Sequence, residues 1–290
     1  MSTSYWTESL YPAYGQSLSI DELLFEEKTE HQHLLIFRNA LFGNVLVLDG
    51  VVQTTEKDEF IYHEMLTHVP LMAHGKARRV LIIGGGDGGI LREVCRHQEV
   101  THITQVEIDQ AVIDLAKTFF PRHSEGAFED PRLELVIGDG FSFVHQTEAR
   151  FDVIISDSTD PKGPAEVLFS QDFYRGCQRC LRPGGILVAQ NGVAFMQLEN
   201  LQNTAARLNP VFQDWHFYSA AVPTYVGGIM CFAWASDNPQ LRQIDVETLQ
   251  QRWLAKRIGS RYYTPAIHQA AFALPQYILS AIQAPGGVFT

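Results

Sequence analysis

Two aspartates near the middle of the chain have the type and spacing expected of a site for a cationic ligand. Asp157 and Asp160 lie three residues apart, directly after the apolar run 151–155. Neighbouring carboxylates without a basic partner attract a cation. The alternative is that one of them only forms a turn before Pro161. A purely structural role for both is the less favoured interpretation.

A glycine-rich turn precedes these aspartates in the chain. Residues 84–89 read Gly-Gly-Gly-Asp-Gly-Gly and satisfy the pattern G-x-G-x-x-G, which lets a backbone turn tightly and approach a ligand. Glu107 follows about 20 residues later, where an acid can accept hydrogen bonds from ribose hydroxyls. The alternatives are a tight turn without a ligand and an acid that caps the next helix. Asp109 is placed to be that cap, which leaves Glu107 for a ligand.

The glycine turn and the acid after it occur both in nicotinamide dehydrogenases and in enzymes that use S-adenosylmethionine. Two further segments distinguish the two classes. Asp139 lies between Gly138 and Gly140, where an acid can accept a hydrogen bond from an adenine amino group. Residues 181–185, Leu-Arg-Pro-Gly-Gly, resemble a turn of S-adenosylmethionine-dependent transferases. Together these segments favour an adenosyl-sulfonium ligand.

Asp87 lies inside the glycine turn, close to the expected methionine tail of such a ligand. A carboxylate there would repel the carboxylate of intact S-adenosylmethionine and attract a decarboxylated, purely cationic donor. A helix N-cap is an equally good interpretation from position alone.

Three other signals favour the protein core over chemistry. Cys177 and Cys180 have zinc-like spacing but no second pair, and they fall within a predicted helix. His63 and His68 are five residues apart, which at ~100° per residue turns them about 140° away from each other on a helix, so they should not share a metal. The aromatic residues Tyr262, Tyr263 and Trp234 are interpreted as core or interface.

The elements that must position these residues alternate between strand and helix from residue 79 onward. We predict strands at 80–83, 103–106, 133–137, 151–155 and 185–189. Helices are predicted at about 88–97, 109–119 and 170–181, with one more after the third strand that ends at about 145. Such alternation predicts a parallel sheet covered on both faces, with ligands bound beyond the carboxyl ends of the strands.

Before residue 75 the pattern is different. Short strands are predicted at 34–37, 45–48 and 51–55, and Asp49-Gly50 is a two-residue hairpin signal. A helix is predicted at about 58–73, because Phe60, Ile61, Met65, Leu66 and Val69 recur at helical spacing.

Composition limits the function further. The chain has 290 residues, 22 basic and 33 acidic side chains, and a formal net charge of −11. This charge disfavours a nucleic-acid partner. Neither a secretory signal nor a run of ~20 apolar residues is present in the sequence, so we expect no membrane association. The four cysteines and the absence of a signal favour the cytoplasm.

The chain resembles the polyamine aminopropyltransferases, most closely the bacterial spermidine synthases. The matching segments are 49–65, 80–89, 152–164, 223–225, 261–268 and 271–275. They cover nearly the whole chain, and motifs of this combined length are highly specific.

The resemblance implies an α/β fold in which a Rossmann-like, mostly parallel catalytic sheet at residues 75–290 follows a small antiparallel β-domain with a linking helix at residues 1–74. It implies transfer of an aminopropyl group from decarboxylated S-adenosylmethionine, a co-substrate, to putrescine, with no metal or other cofactor. A homodimer or homotetramer is expected, and the segment 158–168 is a candidate lid.

The resemblance also assigns residues. Asp157 would be the proton acceptor. The expected donor contacts are Gln32, Asp87, Glu107, Asp139, Gly140 and Pro164. The expected polyamine contacts are Tyr62, His63, Asp87, Asp157, Ser158, Thr159, Asp160 and Tyr225.

Other functions remain open alternatives from the sequence. A methyltransferase that uses intact S-adenosylmethionine on a small amine is disfavoured by Asp87. A non-catalytic polyamine-binding protein is disfavoured by the presence of both Asp157 and Asp160. The length of the acceptor is not fixed, since putrescine, cadaverine, diaminopropane and spermidine differ only in dimensions that depend on packing.

Overall fold

The N-terminal part of the chain is antiparallel β-structure. A computed structural model describes residues 4–28, 33–161 and 163–283. One small sheet pairs β1 (Ser4–Thr7) with β2 (Ser17–Ile20), and a second has the order β3 (Glu22–Lys28), β4 (His33–Asn39), β5 (Gly43–Leu48) and β6 (Val51–Thr55). Asp49 and Gly50 join β5 to β6 with φ of 50° and 76°, the left-handed geometry of a two-residue hairpin turn. The predicted hairpin is therefore confirmed.

The central sheet has seven strands in the order β12-β13-β11-β10-β7-β8-β9. They are β7 (Arg79–Gly84), β8 (His102–Glu107), β9 (Leu133–Ile137), β10 (Phe151–Asp157), β11 (Leu181–Val193), β12 (Asp214–Ala220) and β13 (Met230–Ser236). The strands from β7 to β11 pair in parallel, β13 pairs antiparallel with β11, and the edge strand β12 pairs antiparallel with β13. The predicted fold, a mostly parallel sheet with a small N-terminal antiparallel β-unit, is confirmed.

Helices cover both faces of this sheet. They are α1 (Glu59–His74), α2 (Gly89–Cys95), α3 (Gln110–Phe119), α4 (Pro121–Ser124), α5 (Gly140–Gln146), α6 (Gln171–Cys180), α7 (Leu198–Leu208), α8 (Val246–Lys256), α9 (Pro265–Ala271) and α10 (Gln276–Gln283). Alternate residues of β7 face opposite cores: Val80 packs with α1 and α2, and Leu81 with α5, α6 and α7. This alternation explains why the central strands are apolar throughout.

Helix α1 is almost completely buried. Fourteen of its sixteen residues are buried, including several polar ones, so each polar side chain needs a partner inside the protein. Its apolar side chains share one core with β7, β10 and β11. Residues on both sides of the boundary placed at 74–75 therefore pack together, and that boundary stays a prediction from sequence.

The signals assigned to the core lie in the core. Cys177, Cys180, Tyr263 and Trp234 are fully buried, and Tyr262 packs against the same cluster as Tyr263. Within the described ranges, no helix is long and apolar enough to span a bilayer. Over those same residues, no group of three or more His, Cys, Asp or Glu side chains is arranged to hold a metal ion.

Candidate active site

The glycine turn lies directly against the end of β10. Gly84 pairs with Asp157 across the two parallel strands, and a β-carbon on Gly84 would lie 1.9 Å from the Asp157 carbonyl oxygen. No other residue fits there, and φ of +81° also favours glycine. The two motifs found in the sequence therefore meet at the carboxyl edge of the sheet.

Asp87 is fixed by two hydrogen bonds. Its Oδ1 accepts from the Gly89 backbone N–H at 2.9 Å, a local turn just before α2, whose N-cap residue is Gly88 and not Asp87. Its Oδ2 lies 3.1 Å from Nε2 of His63. Burial raises the pKa of Asp87, but the His63 cation outweighs burial and holds that pKa well below its usual range. Asp87 is therefore an anion at neutral pH.

His63 lies between two carboxylates. Its Nδ1 is 2.6 Å from Oε2 of Glu59, one helical turn earlier on α1, and its Nε2 faces Asp87. Both ring nitrogens can donate only in the imidazolium form. Burial lowers the pKa of His63, but the two carboxylates raise it to about 10. His63 is therefore a cation and a double donor in this site.

Asp157 lies at the end of β10 beside Tyr62. The Tyr62 hydroxyl donates to Oδ1 of Asp157, and a small part of Asp157 remains accessible to solvent. Burial and the nearby charge of Asp87 raise the pKa of Asp157 to about 7, although the Tyr62 hydrogen bond acts in the opposite direction. The carboxyl group is thus able to take and release a proton near neutral pH.

Two tyrosines form an aromatic wall next to Asp157. The rings of Tyr62 and Tyr225 meet edge to face with centroids 5.8 Å apart. The Tyr225 hydroxyl donates to the Gln53 carbonyl at 2.6 Å, which ties it to β6. A narrow cavity lies between these rings and is also lined by Thr54 and Asp58. The wall of this cavity is therefore built by β6 of the N-terminal β-unit, the first turns of α1 and the loop after β12.

Asp160 is held by a residue that the sequence did not suggest. Its Oδ2 accepts from Nε2 of Gln197 at 2.7 Å, and Oε1 of Gln197 accepts from the Val193 N–H at 2.8 Å. Between the two aspartates, Ser158 is half-buried and Thr159 is exposed. Since Gln197 belongs to no motif and lies 37 residues away in the chain, sequence patterns could not identify it.

The predicted nucleoside contacts lie after β8 and β9. Oε1 of Glu107 accepts from the Asp109 N–H at 3.1 Å, and burial raises the pKa of Glu107. Asp109 caps α3, as predicted, by accepting from the Ala111 N–H at 2.8 Å. A glycine is favoured at position 86, because a β-carbon there would lie 2.9 Å from both Oε2 of Glu107 and Cγ1 of Val112.

Asp139 has a structural role that the sequence analysis did not include. Its carboxylate caps α5 by accepting from the N–H groups of Phe141 and Ser142 and from the Ser142 hydroxyl. Oδ1 receives only one of these bonds and keeps a lone pair for a ligand. A β-carbon on Gly140 would lie 2.4 Å from Cγ2 of Ile83, which explains the glycine.

Two predicted donor contacts remain, Pro164 and Gln32. Pro164 lies in the short 3-10 helix Gly163–Phe169. Gln32 lies outside the described residues.

The architecture and the site are typical of a Rossmann-like transferase for a small cationic substrate. A spermine/spermidine synthase domain matches residues 59–245, and a spermidine synthase tetramerisation domain matches residues 5–56. Polyamine aminopropyltransferase 1 of Pseudomonas aeruginosa is 64% identical over 279 residues, covering 96% of this chain and 98% of the relative. The polyamine aminopropyltransferase of Pseudomonas syringae pv. tomato is 61% identical over 279 residues, with coverages of 96% and 98%.

Solved structures of spermidine synthases have the same fold as this chain. A crystal structure of spermidine synthase in complex with the transition-state analogue AdoDATO superposes with a TM-score of 0.91 at 34% identity, covering 97% of this chain and 95% of that one. Spermidine synthase from Thermotoga maritima gives 0.87 at 32% identity, with coverages of 97% and 94%. The chain belongs to the spermine/spermidine synthase family, and it is an aminopropyltransferase of polyamine biosynthesis.

Proposed function

We propose that the chain is a spermidine synthase that transfers the aminopropyl group of decarboxylated S-adenosylmethionine to putrescine. The attacking amine forms a bond to the propyl carbon next to sulfur, the carbon–sulfur bond breaks, and its electron pair stays on sulfur. The products are spermidine and 5′-methylthioadenosine, and one proton leaves the amine. The proposal rests on the Asp157 carboxyl, whose pKa of about 7 suits a proton acceptor.

The need for a base follows from the acceptor. A primary amine titrates near ~10.4 and is protonated at neutral pH, whereas the sulfonium is a good leaving group without help from an acid or metal. Asp157 would take the amine proton as nitrogen approaches carbon. The rings of Tyr62 and Tyr225 would exclude water from the ammonium form of the amine. Burial raises the pKa values of both phenols, so the two side chains stay uncharged. Alignment of nitrogen, carbon and sulfur can contribute up to ~7–11 kcal/mol.

The remaining residues divide between the two substrates in this proposal. The donor would contact Gln32, Asp87, Glu107, Asp139, Gly140 and Pro164. The acceptor would contact Tyr62, Tyr225, Asp157, Ser158, Thr159 and Asp160. For His63 the geometry favours a role through Asp87, because both ring nitrogens already face carboxylates. The assembly would be a homodimer or homotetramer, supported by the match of residues 5–56 to a tetramerisation domain.

An acceptor panel with product masses tests the proposal. Purified protein is incubated with decarboxylated S-adenosylmethionine and putrescine, cadaverine, diaminopropane or spermidine. We expect the mass of spermidine and an equal amount of methylthioadenosine, fastest with putrescine. A faster reaction with another amine would reassign the acceptor, and methyl transfer from intact S-adenosylmethionine would replace the proposal with a methyltransferase.

A further inference from the structure

A row of buried charged side chains leads from Asp87 into the interface between α1 and α2. Asp87 contacts His63, His63 contacts Glu59, and both oxygens of Glu59 accept from Arg92 at 3.2 and 2.9 Å. The side chains of His63, Glu59 and Arg92 are exposed by only 3%, 7% and 7%. Charges with so little access to water are tolerated only when each is paired.

Arg92 is held as firmly as the groups it contacts. Its Nη1 also donates to the carbonyl oxygens of Arg122 and His123 at 2.9 Å each, and its Nε donates to Oε1 of Glu93 at 2.8 Å. A guanidinium fixed by this many partners presents a rigid fork to a carboxylate. Glu59 therefore has little freedom to turn away from His63.

We propose that Glu59 and Arg92 are positioning residues for the donor, a role that rests on the proposed function. They keep His63 doubly protonated, and the Nε2 proton then holds the Asp87 carboxylate in its binding orientation. A neutral His63 has one ring proton: on Nε2 it gives Asp87 an uncharged and weaker donor, and on Nδ1 it gives Asp87 none. The sequence gives one hint of this relay, because Glu59 and His63 have the i,i+4 spacing of a helical pair.

Other charged or titratable groups around His63 come from every element that packs on it. They are Glu59 and Tyr62 from α1, Asp87 from the glycine turn, Arg92 from α2, His123 from α4 and Asp157 from β10. Glu59 is the one among these that faces Nδ1. Neutralising it should therefore lower the pH at which His63 loses its second proton.

The protonation of His63 can be measured in the free protein, independently of turnover. Nitrogen chemical shifts of ¹⁵N-histidine-labelled protein are followed from pH 6 to 10 for the wild type and Glu59→Gln, with His63→Asn used for assignment. We expect imidazolium shifts in the wild type to at least pH 9 and a midpoint lower by ~1 unit or more in the variant. Equal midpoints would overturn the relay.

Donor binding tests the consequence for Asp87. In calorimetric titrations with decarboxylated S-adenosylmethionine, the wild type should bind at pH 8.5 at least as tightly as at pH 6.5, because Asp157 gains negative charge in this interval. In Glu59→Gln the donor affinity should be at least ~10-fold weaker at pH 8.5 than at pH 6.5, because His63 loses its second ring proton over this interval. An affinity that is unchanged, or reduced equally at both pH values, contradicts the proposal.

Two further variants separate positioning from stability. Glu64→Gln removes another buried α1 carboxylate, which accepts from the backbone N–H groups at positions 261, 262 and 263. It should therefore lower the melting temperature and leave donor affinity unchanged. Arg92→Lys should shift His63 in the same direction as Glu59→Gln if the latter does not fold. Failure of the wild type to bind the donor would reject the proposed function, while the nitrogen shifts would still decide the relay.

Discussion

Asp157 is a carboxyl group in a place with little water and with a second carboxylate, Asp87, close by. Both conditions disfavour its ionised form and bring its pKa to about 7. The same property that suits it to accept a proton makes its negative charge unfavourable for the fold. Activity and stability should therefore respond to pH in opposite directions through this one residue.

The rate of acceptor turnover should rise with pH. Between pH 6 and pH 9 both Asp157 and the free amine lose protons, so we expect kcat/KM for the acceptor to increase throughout. Initial rates at saturating donor measure this. Asp157→Asn should reduce kcat by at least ~10²-fold and remove the limb centred near pH 7. A flat wild-type profile would show that deprotonation does not limit the reaction.

Asp157→Asn should also stabilise the protein, and more so at pH 8 than at pH 5. The pKa of Asp157 is about 7 in the fold against an ordinary value of 3.8, so wild-type stability declines as pH rises from about 4 to about 7. At 1.36 kcal/mol per unit the cost is about 4 kcal/mol at most above pH 7. Melting temperatures of both proteins at the two pH values test this, and an equal difference at both would contradict it.

Gly89, the last glycine of the turn, lies against the ring of His63. A β-carbon on Gly89 would lie 2.2 Å from Cε1 and Nδ1 of His63, so the ring must move. We expect Gly89→Ala to weaken binding of decarboxylated S-adenosylmethionine by ~10-fold or more, measured by calorimetry. Gly259→Ala is the matched control because, chain neighbours apart, no residue that the structure describes lies within 4 Å of its β-carbon position. Similar donor affinities for the two variants would show that the His63 position does not matter.

At the scale of elements, the start of α1 connects the two parts that line the cavity beside Tyr62 and Tyr225. Asp58 accepts from the Thr55 hydroxyl on β6 at 2.6 Å and from the N–H and hydroxyl of Thr224 at 2.9 and 2.7 Å. Thr224 immediately precedes Tyr225, which itself donates to Gln53. One carboxylate thus sets the distance between β6 and the loop that carries the aromatic wall.

Removing this carboxylate should affect both stability and the acceptor. Asp58→Ala leaves buried donors of Thr224 unpaired, which costs about 1–3 kcal/mol for each, and frees Tyr225 to move. We expect a lower urea midpoint and a several-fold higher KM for putrescine at nearly constant donor affinity. Asp245→Ala, which removes the cap of α8, should lower only stability. An unchanged KM in Asp58→Ala would mean that Tyr225 is positioned by other contacts.

Local patterns were sufficient for the parallel strands and poor for the contacts between distant segments. The apolar run at 80–83 and the Asp49-Gly50 turn encode their own conformations, and both were predicted correctly. The antiparallel strands β12 and β13 were not predicted. Pairs such as Asp58 with Thr224, 166 residues apart, arise only when the chain is folded. The partners of the candidate site residues were missed for this reason, even where, like Asp58 and Thr224, they lie in motifs.

At the scale of the whole molecule, the net charge of the protein is opposite in sign to the charges of the proposed substrates. The formal net charge is −11, and both putrescine and the decarboxylated donor are cations. A negative field over the surface increases the rate at which cationic ligands reach a site. This contribution acts at long range and should be sensitive to salt, unlike the short hydrogen bonds inside the site.

Raising ionic strength should therefore reduce capture of the acceptor more than its conversion. The distance over which charges act shrinks from roughly 30 Å at 0.01 M to about 8 Å at 0.15 M ionic strength, so we expect kcat/KM for putrescine to fall by about three- to tenfold over this range. The value of kcat should change by less than about twofold, because the proposed contacts of Asp157 and Asp87 with bound substrate are short and little screened. Steady-state kinetics in sodium and in potassium chloride should agree at equal ionic strength, since screening does not depend on the ion. Equal kcat/KM values at both salt concentrations would confine the electrostatic attraction to the site itself and leave the surface charge without a role in substrate capture.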